Sequence, residues 1–227
     1  MRKTSKRTSP ASLRKIVLVD DHPVFREGLA QILDAEKDLK VSGEAGEAAG
    51  ALKLIKRLQP DLALVDISLP GESGLKLIKK LRATHIDIKI LVVSMHDEAL
   101  YANRALRAGA DGYIMKQEDP DEIVQAVRDV LDGRIYVSEQ VTAHRASSPA
   151  VAPSRESSGR LDQLSDLELE VLGLIGLGKT GGEIAAQLRL GIRTVKSHCG
   201  RMQKKLKLKS GNDLFRYAVR WVESQAN

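Results

Sequence analysis

Cysteine is nearly missing from this chain of 227 residues. Cys199 is the only one, so no disulfide can form within the chain, and a reducing compartment, the cytoplasm, is expected. Aromatic residues are scarce at 3%, so any core must be aliphatic. No run of about 18 apolar residues occurs, which excludes a conventional membrane-spanning helix. Residues 1–14 are basic but carry no apolar segment, so they do not read as a secretory signal. They are expected to be a disordered tail. No zinc-type cluster of Cys and His, no Ser-His-Asp set and no paired glycosidase-like carboxylates stand out.

What the chain does have is charge, unevenly placed. The formal net charge is +6. Residues 15–140 hold 17 basic and 22 acidic side chains, whereas residues 161–227 hold 11 basic and 7 acidic. An acidic part joined to a basic part suggests that only the C-terminal part meets a polyanion.

Between 15 and 136, short apolar runs alternate with amphipathic stretches five times. The runs are Ile16–Val19, Leu39–Glu44 (the faintest), Leu62–Val65, Ile90–Val93 and Tyr113–Met115. The stretches have helical spacing, such as Val24, Phe25, Leu29, Ile32 and Leu33, and they stop at Pro60, Gly109 and Gly133. This (βα)5 pattern predicts a doubly wound α/β fold with a parallel sheet and helices on both faces. In such a sheet the C-terminal strand ends share one edge, where ligands bind. Asp20, Asp21, Asp66, Ser94 and Lys116 all follow or end a run. Any one alone reads equally well as a strand-end cap; all five, in order, predict a single crevice suited to a divalent cation and a phosphoryl group. Clustered carboxylates repel one another, and a bound metal such as Mg2+ would relieve this and leave Asp66 ionised as a nucleophile.

Periodicity vanishes from 137 to 160, where Ser, Pro, Ala and Gly predominate, and a flexible linker is expected. Residues 161–227 carry helix signals only, so a small all-α domain of four helices is expected. Ser165-x-x-Glu168 and Thr180-x-x-Glu183 are capping boxes. A turn near Gly191 leads into a helix to about Leu206, and Asn212 is expected to cap a fourth. The pair of helices from Thr180 to Leu206 reads as a helix-turn-helix. Its second helix puts Val195, Cys199, Met202 and Leu206 on one stripe, while Lys196, Ser197, Gly200, Arg201, Gln203 and Lys204 point elsewhere, and Arg193 at its start is a further candidate for DNA contact. A basic face of that kind fits a DNA major groove.

Two resemblances sharpen this reading. Val-Asp-Asp-His-Pro (19–23), Asp-Ile-Ser-Leu-Pro-Gly (66–71), Val-Val-Ser (92–94) and Ala-Gly-Ala-Asp-Gly-Tyr-Ile-Met-Lys (108–116) resemble the receiver domain of two-component response regulators. That resemblance implies that Asp66 accepts a phosphoryl group from a histidine kinase. It also implies Mg2+ held by Asp21, Asp66 and the Ser68 main-chain carbonyl, with Asp20 acting through water. Ser94 and Tyr113 would be the switch pair and Lys116 a phosphoryl-binding cation. The segment with Leu164-Ser-Asp-Leu-Glu-Leu-Glu-Val-Leu, Glu183-Ile-Ala, Thr194-Val-Lys-x-His and Lys205-Leu206 resembles the LuxR/NarL-type DNA-binding domain. It implies that Thr194, Lys196, His198 and Lys205 lie at or near DNA, although His198 could equally be a packing residue. Gly191 stands where a serine usually caps the recognition helix. Gly200 stands where relatives often carry a longer side chain.

Together these imply a cytoplasmic NarL/FixJ-type regulator whose partners are a sensor histidine kinase and promoter DNA, with no membrane partner. It would act as a homodimer, with the fourth helix of the last domain as a candidate surface. A phosphorylation-independent regulator controlled by protein binding is the alternative. Gly173-Leu-Ile-Gly-Leu-Gly-Lys-Thr180 fits the P-loop pattern, but that motif needs a preceding strand, and helix signals stand there instead. No enzymatic activity beyond phosphorylation and dephosphorylation of Asp66 is expected.

Overall fold

A computed structural model describes residues 13–84, 87–96, 98–138, 161, 163–188 and 190–223. The basic tail up to residue 12 and the linker from 139 to 160 lie outside the described residues.

The N-terminal half alternates β1 (Arg14–Val19), α1 (Pro23–Asp34), β2 (Leu39–Ala45), α2 (Ala48–Leu58), β3 (Leu62–Val65), α3 (Gly74–Ala83), β4 (Lys89–Ser94), α4 (Glu98–Ala108), β5 (Gly112–Met115) and α5 (Pro120–Leu131). All pairings are parallel, in the order β2-β1-β3-β4-β5. Successive side chains of a strand point to opposite faces, and here both faces are covered. Val17, Val19, Ala63, Val65, Ile90 and Val92 pack towards α2, α3 and α4. Ile16, Leu18, Leu62, Leu64, Leu91 and Val93 pack towards α1 and α5. This double burial explains why the runs are continuously apolar rather than alternating.

The first crossover runs to one side of β1 and the later ones to the other. Chain direction across the sheet therefore reverses between β1 and β3, which opens a crevice at their C-terminal ends. Val24 departs from the expected apolar face of α1: it is 85% exposed. It follows Pro23 in the first turn, and the buried contacts of α1 come from Leu29 and Leu33 instead.

The C-terminal half contains α6 (Asp166–Gly176), α7 (Gly181–Gln187), α8 (Ile192–Leu206) and α9 (Gly211–Glu223). Both capping boxes form as expected. The cap of α9 is not Asn212. Ser210 Oγ accepts from the Asp213 N–H at 3.1 Å and donates to its carboxylate at 2.9 Å, so the helix opens two residues earlier and Asn212 lies inside it. The P-loop-like segment is the last turn of α6 followed by a reversal, with Gly178 at φ 78°, a backbone state that favours glycine. Among the described residues of this half there is no strand to precede it.

Candidate functional site

The strand ends place the expected residues together. The Asp20 N–H bonds to Ala45 O and the Asp66 N–H to Val19 O, at 3.0 and 2.8 Å. These bonds continue the sheet pattern past β1 and β3 and hold both aspartates at the crevice. From β5, Lys116 reaches back: its Nζ lies 2.6 Å from Asp20 Oδ2 and 2.8 Å from Asp66 Oδ2. The ammonium also sits 4.7 Å from the centre of the Phe25 ring, which favours it as a cation–π contact. Behind Asp66, a Cβ added at Gly74 would overlap the Asp66 carbonyl. Glycine is therefore needed there for α3 to start so close to the site.

Burial pushes the Asp66 carboxyl above the usual range. The nearby Lys116 ammonium opposes this, and the Asp20 charge adds to it. Asp66 Oδ1 is buried without a hydrogen-bond partner among the described residues. Carboxylate or imidazole atoms of Asp20, Asp21, His22 and Asp66 all fall within 4.8 Å of one another. An oxygen-rich set with an unpartnered carboxylate oxygen fits a hard divalent cation. His22, part of the Val-Asp-Asp-His-Pro motif, joins them: its Nδ1 lies 3.2 Å from Asp20 Oδ1 and 3.0 Å from Asp21 Oδ1.

Ser94 is fully buried at the end of β4, and its Oγ accepts from the His96 N–H at 3.3 Å. The Tyr113 ring is fully buried beside it, and the phenol donates to His96 O at 2.7 Å. Ser68 lies two residues beyond Asp66. Its hydroxyl contacts His96 Nε2 at 2.8 Å and donates to Glu170 Oε1 on α6 at 3.0 Å. Burial, and then the Lys116 charge, push the His96 imidazole down to about 4, so the ring is neutral near pH 7. Burial raises the Glu170 carboxyl to about 7. Nothing in the sequence singled out His96, and Glu170 stood only as one residue of the Leu164–Leu172 motif, with no sign that it faces Ser68.

On α8 the basic face is open. Arg193, Thr194, Lys196, Ser197, Arg201 and Lys204 are exposed, while Val195, Met202 and Leu206 form the buried stripe and Cys199 packs beside it. Two expected DNA neighbours also have partners within the domain. His198 is only 7% exposed and contacts Arg201 Nη2 at 2.9 Å. Lys205 Nζ is tied to Glu168 Oε2 at 2.5 Å. Gly191 caps α8 with no side-chain bond. A Cβ at Gly200 would meet open space, so a longer side chain would have room there.

Comparison with known proteins adds to this geometry. Residues 16–128 match the response regulator receiver domain, and residues 162–218 match the bacterial regulatory proteins of the luxR family. Oxygen regulatory protein NreC of Staphylococcus carnosus is 35% identical over 210 residues, covering 91% of this chain and 97% of that protein. A two-component response regulator of the LuxR family from Aurantimonas sp. SI85-9A1 is 35% identical with a TM-score of 0.57, over 60% of this chain and 97% of that one. RcsB from Salmonella enterica serovar Typhimurium, bound to a promoter in the presence of the phosphomimetic BeF3-, is 25% identical with a TM-score of 0.61. That match covers 90% of this chain and 98% of RcsB.

Proposed function

Because the chain belongs to the LuxR-type response regulators, a receiver joined to a helix-turn-helix DNA-binding domain, we propose that Asp66 is its phosphoacceptor and α8 its promoter-reading helix. The observation that carries this reading is the division of labour on the Asp66 carboxylate. Lys116 engages Oδ2, while Oδ1 is left unpartnered at the crevice. In the transfer, Oδ1 forms a bond to phosphorus as the phosphorus–nitrogen bond of a kinase phosphohistidine breaks, and the imidazole leaves. The work of such a site is positioning and charge neutralisation. Asp20, Asp21, Asp66 and the Ser68 main-chain carbonyl would hold Mg2+, which supplies positive charge against the clustered carboxylates and the phosphoryl oxygens. Lys116 neutralises charge from the β5 side. Ser94 and Tyr113 form the switch pair, and the bond from Tyr113 to His96 O ties the ring to the loop after β4.

Residues 15–136 act as the receiver and 161–227 as the DNA-binding domain, with 137–160 as the linker. Arg193, Thr194, Lys196, Ser197, Arg201 and Lys204 make the DNA surface. His198 and Lys205 support it from behind. Homodimerisation would add the phosphate contacts of two half-sites, and Phe215, exposed on α9, supports that helix as the dimer surface. The cytoplasm is the compartment that suits these partners. Among the described residues, no helix is long and apolar enough to cross a membrane.

The test is intact mass of the wild type and Asp66→Asn after incubation with Mg2+ and a small phosphodonor. A gain of one phosphoryl group, about 80 Da, is expected on the wild type only. No gain on a folded wild type would overturn the acceptor assignment in favour of a regulator controlled by protein binding.

A further inference from the structure

The acidic crevice contains one donor atom that is not an oxygen. His22 follows Asp20 and Asp21 directly and opens α1. Its backbone is fixed on three sides. The His22 N–H donates to Asp20 Oδ1 at 2.9 Å, and its carbonyl accepts from the Arg26 N–H at 3.0 Å. Pro23 comes next, and a residue before proline is kept in extended backbone; here φ is −94° and ψ 100°. The side chain makes no cap bond to α1. Its Nδ1 is turned instead to the carboxylates, 3.0 Å from Asp21 Oδ1 and 3.2 Å from Asp20 Oδ1.

Those separations are the edges of a coordination shell. Bonds of about 2.1 Å set at right angles put neighbouring donor atoms about 3.0 Å apart. One atom from each of Asp20, Asp21, His22 and Asp66 falls within 4.8 Å of the others. Hydrogen bonding within the protein leaves this set incomplete. A proton on Nδ1 can serve Asp20 Oδ1, but Asp21 Oδ1 remains buried without a hydrogen bond despite the ring nitrogen beside it. Asp66, only 3% exposed, is in the same position: its Oδ1 is buried and unpartnered among the described residues. Three carboxylates against the single Lys116 ammonium leave two formal negative charges, which a divalent cation balances.

Taking the reading of this crevice as a metal site as its basis, we propose that His22 is a nitrogen ligand. The crevice then prefers a first-row divalent transition cation of the imidazole-accepting class, such as Fe2+, Co2+ or Ni2+, to Mg2+. With the ring proton on Nε2, the Nδ1 lone pair is free to bind. Imidazole suits those ions, whereas Mg2+ favours oxygen and keeps water in such a position. His22 therefore discriminates between cations, while the carboxylates admit both.

The test is calorimetry on the full chain with Co2+ alone and with Mg2+ alone, for the wild type, His22→Gln and Asp21→Asn. The wild type should bind Co2+ more tightly than Mg2+. His22→Gln should lose at least about tenfold in Co2+ affinity and keep its Mg2+ affinity. The ligand-field absorption of Co2+ at saturation should differ between these two forms, as loss of a nitrogen donor requires. Asp21→Asn should weaken both cations, which places Co2+ in the crevice and not at another histidine. Unchanged Co2+ affinity in His22→Gln, or identical Co2+ spectra, would overturn the ligand role. An equal loss of both cations would overturn it too, since that is the result if His22 only steadies Asp20. Co2+ binding no tighter than Mg2+ in the wild type, or untouched by Asp21→Asn, would overturn the preference. If the folded wild type bound neither cation, the metal reading of the crevice would fall, and the role of His22 with it.

Discussion

Charge is used in opposite ways in the two halves of this protein. At the crevice of Asp20 and Asp66 the ionic groups are buried and bonded to one another: Lys116 lies within 2.8 Å of two carboxylates and its side chain is almost wholly enclosed. On α8 Arg193, Lys196 and Lys204 stand in solvent. Buried, paired charges hold a geometry for chemistry on one small group. Exposed cations on one helix face suit a long polyanion, whose affinity comes from many weak phosphate contacts. Glu168 connects the two regimes. Only 2% exposed, it draws Lys205 and Arg201 inward from the basic helix. Positive charge on α8 is therefore divided between holding the domain together and facing outward.

The comparison can be broken most severely at Lys116. Lys116→Ala leaves Asp20 and Asp66 facing each other without their cation, and phosphoryl gain followed by intact mass should slow on the order of a hundredfold. A next, smaller effect separates two lysines of one helix. Lys205→Ala strands the buried Glu168 and should lower stability by about 1–3 kcal/mol in denaturant titration. Lys196→Ala should leave stability unchanged, weaken DNA binding in a gel shift, and reduce the slope of affinity against salt by about one.

The same Glu168 gives a pH signature. Burial alone would raise its carboxyl, but the Lys205 hydrogen bond and the Ser165 groups win and hold it below its ordinary value of 4.5. A carboxyl lowered in the folded state contributes stability above the unfolded value, and that stability is lost as pH falls through the folded value. Melting curves of the full chain should thus show a C-terminal transition that weakens below about pH 4.5. Glu168→Gln should flatten that dependence, and an unchanged slope would remove Glu168 as its source. The smallest effect is at the open end of α8. Gly191 has φ −71° and ψ 142°, which any residue adopts, so Gly191→Ser should add a few tenths of a kcal/mol to stability and no more.

Much of this was legible in the sequence because the signals are local. A strand end followed by aspartate, a serine three residues before a glutamate, or an apolar stripe at helical spacing each involves residues within one or two turns. The strand order then converts five local signals into one pocket. Where a local signal had a rival close by, it misled: Ser210 and Asn212 are both good capping residues, and geometry chose the first. The contacts that join the halves could not be read. Ser68 and Glu170 are 102 positions apart, and although each stands in a motif, no local pattern links the two. His96 was invisible for the same reason, since its ring meets Tyr101 on α4 and Ser68 in the loop after β3.

The lysine bridging Asp20 and Asp66 makes the pocket self-sufficient. An acidic cavity with no internal counterion would depend on a captured ion for its integrity, and chelation would loosen the sheet edge around it. Here the ammonium already satisfies one oxygen on each of the two most buried aspartates, so the pocket brings its own counterion. An arriving cation has to compete with a tethered amine for shared carboxylates. Such a pocket carries part of its own electrostatic support, tethered to the fold by the backbone of β5.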